Sequence, residues 1–263
     1  MNRIQLCGTL SAISHTHSQI TTRHSLLETT VREVEHSVFV PLHYESNYSY
    51  PLLVWLHGPG DDQRQLKQIM PLISMRNYVG VAPCGTILEG AERTSPNYAG
   101  YTWQQESHDI AECDERVTRC IDLVSSRFNI KQSRIFIGGY DSGGTMALRI
   151  AMMRPELFSG VASIGGCFPK GLNPLTRIGS VRRLPIMMMH GRDSSEYTAA
   201  DACRDLRLIH VAGMSVAVRQ YPCQQEVTTV MLEDLNRWMM SIVSGEQPAS
   251  SSDWSTPNDH FNN

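Results

Sequence analysis

The stretch Ser133-Arg134-Ile135-Phe136-Ile137-Gly138-Gly139-Tyr140-Asp141-Ser142-Gly143-Gly144-Thr145-Met146-Ala147-Leu148 decides how this chain is read. Arg134 to Ile137 is a strand-like apolar run, and Thr145 to Met153 has helical character until Pro155 stops it. Between them small residues allow a tight reversal. Taking Gly139 and Gly143 as the flanking pair puts Asp141 at the apex of a G-x-D-x-G elbow between strand and helix. A second register puts Ser142 at the apex, but it places Tyr140 where the first glycine belongs, a position crowded by the opposing strand and helix. The Asp141 register is therefore preferred.

Outward from the elbow, strand and helix alternate. Toward the N-terminus, strand-like runs cover Glu35 to Val40, Pro51 to Leu56 and Tyr78 to Ala82, and a helix is expected from Gln63 to Ser74. A Gly/Pro/Ser-rich loop from Pro83 to Gly100 precedes a long helix, Ser107 to Arg127, with Ile110, Val117, Ile121 and Val124 on one face. Toward the C-terminus, Val161 to Ile164 and Ile186 to Met189 are near-continuous apolar runs, as parallel strands covered on both faces require. Helices are expected from Thr198 to Ala212 and Thr228 to Val243, with a strand from Ser215 to Tyr221 between them. The last helix puts Met231, Leu235, Trp238, Met239 and Ile242 on one stripe, a core face. This alternation predicts an α/β class fold with a doubly wound, mostly parallel sheet flanked by helices. The expected organisation is an N-terminal extension over 1–33 without sustained periodicity, one domain over 34–243, and a polar, disordered tail over 244–263.

The chain has 263 residues, enough for one large α/β domain with a substantial core. A net charge of −3 supplies no basic field for nucleic acid or anionic lipid, so neither is expected as a partner. The longest apolar runs are strand-sized, no signal-peptide core is evident near the N-terminus, and a cytoplasmic location is expected. Seven cysteines, an odd number without a CxxC pair, read as buried thiols in a reducing compartment.

Four motifs together carry a resemblance. They are His57-Gly58-Pro59-Gly60, the Ser133-Arg134-Ile135 strand and elbow followed by Gly143 to Arg149, His190-Gly191, and Tyr221-Pro222-Cys223 leading to Glu226. From about residue 35 to 243 the chain resembles the phospholipase/carboxylesterase branch of the α/β-hydrolases, which includes acyl-protein thioesterases. The resemblance implies a Ser on the elbow, an acid four residues after His190 and a His after the last strand. This sequence has Asp141, Ser194 and Gln225 at those places, with an aspartate one position early at Asp193. The string Asp141 to Gly144 also occurs in trypsin-like proteases, whose antiparallel barrels do not fit a strand–turn–helix setting.

Acyl transfer needs an activated nucleophile, a base titrating near neutrality and donors for the oxyanion. Gln225 has no titratable proton. Asp141 is a poor nucleophile toward esters, since attack on an acyl carbon would form a mixed anhydride. Loss of the Ser or His of such a triad costs on the order of 10⁶ in kcat, roughly 8 kcal/mol of transition-state stabilisation. The resemblance places the oxyanion-hole donors at backbone N–H groups near Gly60 and at Ser142, because Pro59 has no N–H of its own. Asp141 is expected to occupy the anion site at the following helix N-terminus, with the Gln225 amide donating to it. An Asp elbow serves haloalkane dehalogenases and epoxide hydrolases, but these need a His base that Gln225 does not supply.

His57 reads as a loop-fixing residue and His190 as a strand-end residue satisfying a backbone group. His108 and His210 lack a second His or Cys ligand at helical spacing, and neither a metal nor another cofactor is expected. Tyr101 and Trp103 fall at the substrate rim that the resemblance implies, where they line a pocket or simply pack. The expected function is a catalytically degenerate pseudohydrolase retained for binding or assembly. Its candidate partners are a small apolar or acyl ligand, a second copy of itself, or an active paralogue. The alternative is a weak esterase or thioesterase acting on small acyl esters through Ser142 or a cysteine.

Overall fold

The computed structural model describes residues 35–87, 100–171 and 177–245. Seven strands form one sheet in the order β1-β3-β2-β6-β7-β8-β9. They are β1 (His36–Phe39), β2 (Tyr50–Leu56), β3 (Val79–Pro83), β6 (Ile130–Tyr140), β7 (Gly160–Ile164), β8 (Ile186–Gly191) and β9 (Val216–Tyr221). Only β1 runs antiparallel, against β3, and every other pairing in this sheet is parallel. The chain winds outward from β2 and β6, so the C-terminal ends of the central strands gather the elbow, the His57 loop and the loops after β8 and β9.

Alternation along β2 shows why both sheet faces need helices. Leu52, Val54 and Leu56 belong to the core with α2 (Ser107–Arg127), α3 (Ser142–Met153) and α5 (Ala199–Val211). Leu53 and Trp55 belong to the opposite core, under α1 (Gln65–Ile73) and α6 (Thr229–Ser244). The long helix α2 buries Ile110, Cys113, Val117, Cys120, Ile121 and Val124 along one stripe. Its outer face carries the pairs Glu112–Arg116 and Glu115–Arg119 at helical spacing. A capping box of Thr198 and Asp201 starts α5, and Gly245 ends α6 in a left-handed conformation.

The expected elements appear with modest differences at their ends. β6 begins at Ile130 and α3 begins at Ser142, directly after the elbow apex. Three short elements carried no sequence signal: β4 (Thr86–Ile87), β5 (Tyr101–Thr102) and α4 (Ile178–Val181). The pair β4–β5 is a two-rung antiparallel ladder, too short for a periodic pattern. The expected extension over 1–33 and most of the tail lie outside the described residues, although Ser244 and Gly245 close α6. Cys84, Cys113, Cys120, Cys167, Cys203 and Cys223 are all free thiols, but of these Cys203 is exposed and Cys167 and Cys223 are only half-buried. Of the described helices, none is long and apolar enough to cross a membrane.

Candidate functional site

Asp141 stands at the apex between β6 and α3 with φ 51° and ψ −117°, a left-handed conformation that a side chain adopts only against strain. Its neighbours make the turn possible. A Cβ on Gly139 would stand 2.5 Å from the Gly143 carbonyl oxygen, and one on Gly143 would strike the carbonyl oxygens of His57 and Leu56. The elbow is therefore pressed against the end of β2, and Ser142 is the first residue of α3, not the apex.

The loop after β2 is fixed by polar contacts through the protein interior. His57 is fully buried, its Nδ1 meets the Gly58 carbonyl at 2.8 Å, and its Nε2 accepts the Gly85 N–H at 3.0 Å. That pattern defines a neutral ring with the proton on Nδ1, and burial accordingly holds its pKa below the ordinary histidine value. Trp103 donates its indole N–H to the His57 carbonyl at 3.0 Å and is only 4% exposed, so it is a core residue and not part of a rim. Trp55 Nε1 donates to Gln65 Oε1 at 2.7 Å, and Gln65 Nε2 donates to Asp61 Oδ2 at 2.9 Å, which pins the loop from the other side.

The expected oxyanion donor on this loop is already engaged. The Gly60 N–H donates to the Tyr101 carbonyl at 2.8 Å. This corrects the assignment of Gly60 as a free donor, and the cause is β5, which crosses the loop and offers its own backbone oxygen. The same strand brings Thr102 Oγ1 to 3.4 Å from Ser142 Oγ. Tyr101 is half-buried and meets the site through its backbone.

Three side chains from distant segments meet at the elbow. Gln225, between β9 and α6, donates through Nε2 to Asp141 Oδ2 at 3.2 Å and to the Gly165 carbonyl at 2.7 Å. Ser194, after β8, donates through Oγ to Gln225 Oε1 at 2.8 Å. Ser194 Oγ also accepts the Tyr197 N–H at 3.1 Å, a local turn that directs the hydroxyl. Asp141, Gln225 and Ser194 thus form one chain of hydrogen bonds. Of the two contacts expected of Asp141, the bond from the Gln225 amide is present, whereas its carboxylate makes no capping bond to α3.

Other neighbours complete the electrostatics. Asp193 points away and pairs with Arg192 Nε at 3.1 Å on the surface. Tyr140 packs its ring where a Gly58 side chain would stand and donates its hydroxyl to the Gln225 carbonyl at 2.8 Å. Burial and the nearby Asp141, Glu196 and Glu226 carboxylates raise its pKa. Burial, then Glu226 and Asp193, likewise raises that of Cys223, which disfavours a reactive thiolate. His190 is buried with Nδ1 unpartnered, so the backbone bond expected of it is at most half met. The bond from Tyr140 to the Gln225 carbonyl escaped the sequence reading because it depends on which segments meet in space.

The comparisons agree with this geometry at the level of the family. Residues 44–239 match the model of the Phospholipase/Carboxylesterase family, and the chain belongs to that family. A protein of Oryza sativa subsp. japonica described as a probable carboxylesterase is 21% identical over 74% of this chain and 79% of its own length. A Nocardia uniformis subsp. tsuyamanensis protein described as an esterase, NocK, is 26% identical over 54% of this chain, a match spanning only 39% of that relative. Among solved structures, the Bacillus cereus carboxylesterase superposes with a TM-score of 0.61 at 14% identity, covering 81% of this chain and 96% of that one. The Zea mays acyl-protein thioesterase 2 gives a TM-score of 0.61 at 16% identity, covering 80% and 100%. These likenesses establish the α/β-hydrolase fold.

Proposed function

We propose that this chain is a pseudohydrolase, a member of its family that binds a ligand or partner but does not turn over esters. The observation that carries this reading is the position of Gln225. Its carboxamide sits between Asp141 and Ser194, where an acyl-transfer site needs an imidazole to carry a proton. A carboxamide holds the same hydrogen-bond geometry without titrating. Support also comes from the Gly60 N–H, which Tyr101 occupies, and from Pro59, which has none to offer. His57 commits both ring nitrogens to the backbone, so it is not available as a substitute base.

One feature supports a binding role. A groove of about 540 Å³ is lined by Leu206 and His210 of α5, Met214 just before β9, Val216, Val218 and Gln220 of β9, and His190. It lies at the open edge of the sheet, its lining shares no residue with the elbow, and its mostly apolar wall suits a small apolar ligand. Free Cys113 and Cys120 on one face of α2 support a reducing, cytoplasmic setting.

Hydrolysis of p-nitrophenyl acetate tests the proposal on three proteins. Wild type is expected to match the buffer rate, and so is Ser142→Ala. The triple variant Asp141→Ser/Ser194→Asp/Gln225→His is expected to rise above both. Wild-type turnover that disappears in Ser142→Ala would overturn the reading.

A further inference from the structure

We propose that the groove between α5 and β9 is a site for an uncharged, mostly apolar molecule carrying one hydroxyl, which hydrogen-bonds the His190 imidazole at the groove's inner end. The proposal deepens the binding role proposed above and rests on it only in taking this groove as the ligand site. It asks for no particular chemistry at the elbow.

Sequence spacing builds the groove. Leu206 and His210 stand four apart on α5 and so share one face of that helix. Val216, Val218 and Gln220 alternate along β9 and share one face of the sheet. Both valines are half-buried against the core that α5 covers. β9 is the last strand of the sheet and pairs only with β8 among the described strands, which leaves the groove open at that edge. The register sets His190 of β8 beside Gln220. At the other end the Gly213 N–H donates to the His210 carbonyl, a tight turn that leads α5 straight into the start of β9. The trough therefore runs from His210 and Val216 to Gln220 and His190, about 13 Å along the strand. That length and a volume of about 540 Å³ suit a small molecule.

The chemistry of the lining selects the ligand. His190 is only 4% exposed, yet it lines the groove and its Nδ1 has no hydrogen-bond partner. A buried polar atom left in this state is costly, and a ligand that reaches the ring recovers part of that cost. Tyr197 steadies the imidazole through a T-shaped ring contact at 5.8 Å, while its own hydroxyl is committed to Asp205 Oδ2 at 3.0 Å. Burial draws the His190 pKa below the ordinary histidine value, so the ring is neutral near pH 7. A neutral imidazole offers one donor and one acceptor. A hydroxyl both donates and accepts, so it serves whichever ring nitrogen faces the ligand, in either tautomer. The lining contains no Lys, Arg, Asp or Glu, and a charged ligand would lose its hydration there without a counter-charge.

NMR titration of the full chain with 4-butylphenol, butylbenzene and 4-butylbenzoate tests the site. The phenol is expected to shift the amides of residues 206–220 and the His190 ring nitrogens saturably. It should bind about five- to tenfold more tightly than butylbenzene, the size of one net hydrogen bond, and the benzoate should bind weakest. His190→Phe keeps a ring against Tyr197 and is expected to bind phenol and hydrocarbon equally. Val218→Arg, which sets a charge on the apolar wall, is expected to weaken both. Thermal unfolding controls for folding of the variants, and the three-ligand comparison on wild type stands without them. Equal wild-type affinity for phenol and hydrocarbon, a phenol preference that persists in His190→Phe, shifts centred on residues 139–145, or no saturable binding would overturn the proposal. Ester turnover by wild type would sink the pseudohydrolase reading without changing these affinities, so the two failures are distinguishable.

Discussion

The frame of the elbow and the groups mounted on it make different demands on sequence. At the frame, Gly139, Gly143 and Gly58 occupy places where a Cβ would meet backbone or the Tyr140 ring, and all three are glycine. At the mounted positions, Asp141, Ser194 and Gln225 differ in titration chemistry from what the family pattern expects, yet they still join one hydrogen-bonded chain. Excluded volume tolerates no alternative, whereas a hydrogen bond only asks for a donor opposite an acceptor. The fold can therefore survive while the proton chemistry at its centre changes.

The most disruptive way to break this comparison is Gly143→Ala. Its methyl would overlap the His57 and Leu56 carbonyls, and a loss of about 4 kcal/mol or more, enough to abolish cooperative urea unfolding, is expected. Next is the reconstructed triad. Because the Gly60 N–H is taken by Tyr101, the triple variant is expected to be slow. Adding Pro59→Ala, which returns a donor to the loop, should raise its kcat by about 10²-fold, the size of one oxyanion donor. No gain from Pro59→Ala would mean that β5 still fills the site.

Smaller effects sharpen the same contrast. Asp141→Gly relieves the φ 51° strain but loses the Gln225 bond, so the net change in urea-unfolding stability should be a gain of about 1 kcal/mol. A loss would show that the hydrogen-bonded chain outweighs the strain. Trp103→Phe removes the donor to the His57 carbonyl and should cost about 1 kcal/mol in the same assay.

Most of the fold was legible because it is written in periodicity. The α2 stripe, the continuous apolar runs of β7 and β8 and the α6 stripe each announce a buried face through spacing alone. The elbow register was legible for a steric reason, since a glycine pair at fixed spacing fits one apex residue. Trp103 stayed open between a rim and the core because an aromatic residue in a loop reads the same in either place, and the structure puts it in the core. Gly60 was misjudged because its partner strand, β5, is two residues long and sets no pattern.

The sequence by itself determined the layered α/β architecture, the position of the elbow and the absence of an imidazole at residue 225. Those follow from local sterics, side-chain identity and repeat spacing. Only the tertiary structure decided that Gln225, besides the expected bond to Asp141, reaches Ser194 and the Gly165 carbonyl, and that the Tyr101 carbonyl occupies the Gly60 N–H. Those contacts join segments 31 to 60 residues apart, or loops whose direction depends on the elements packed around them, and spacing along a chain carries no record of that.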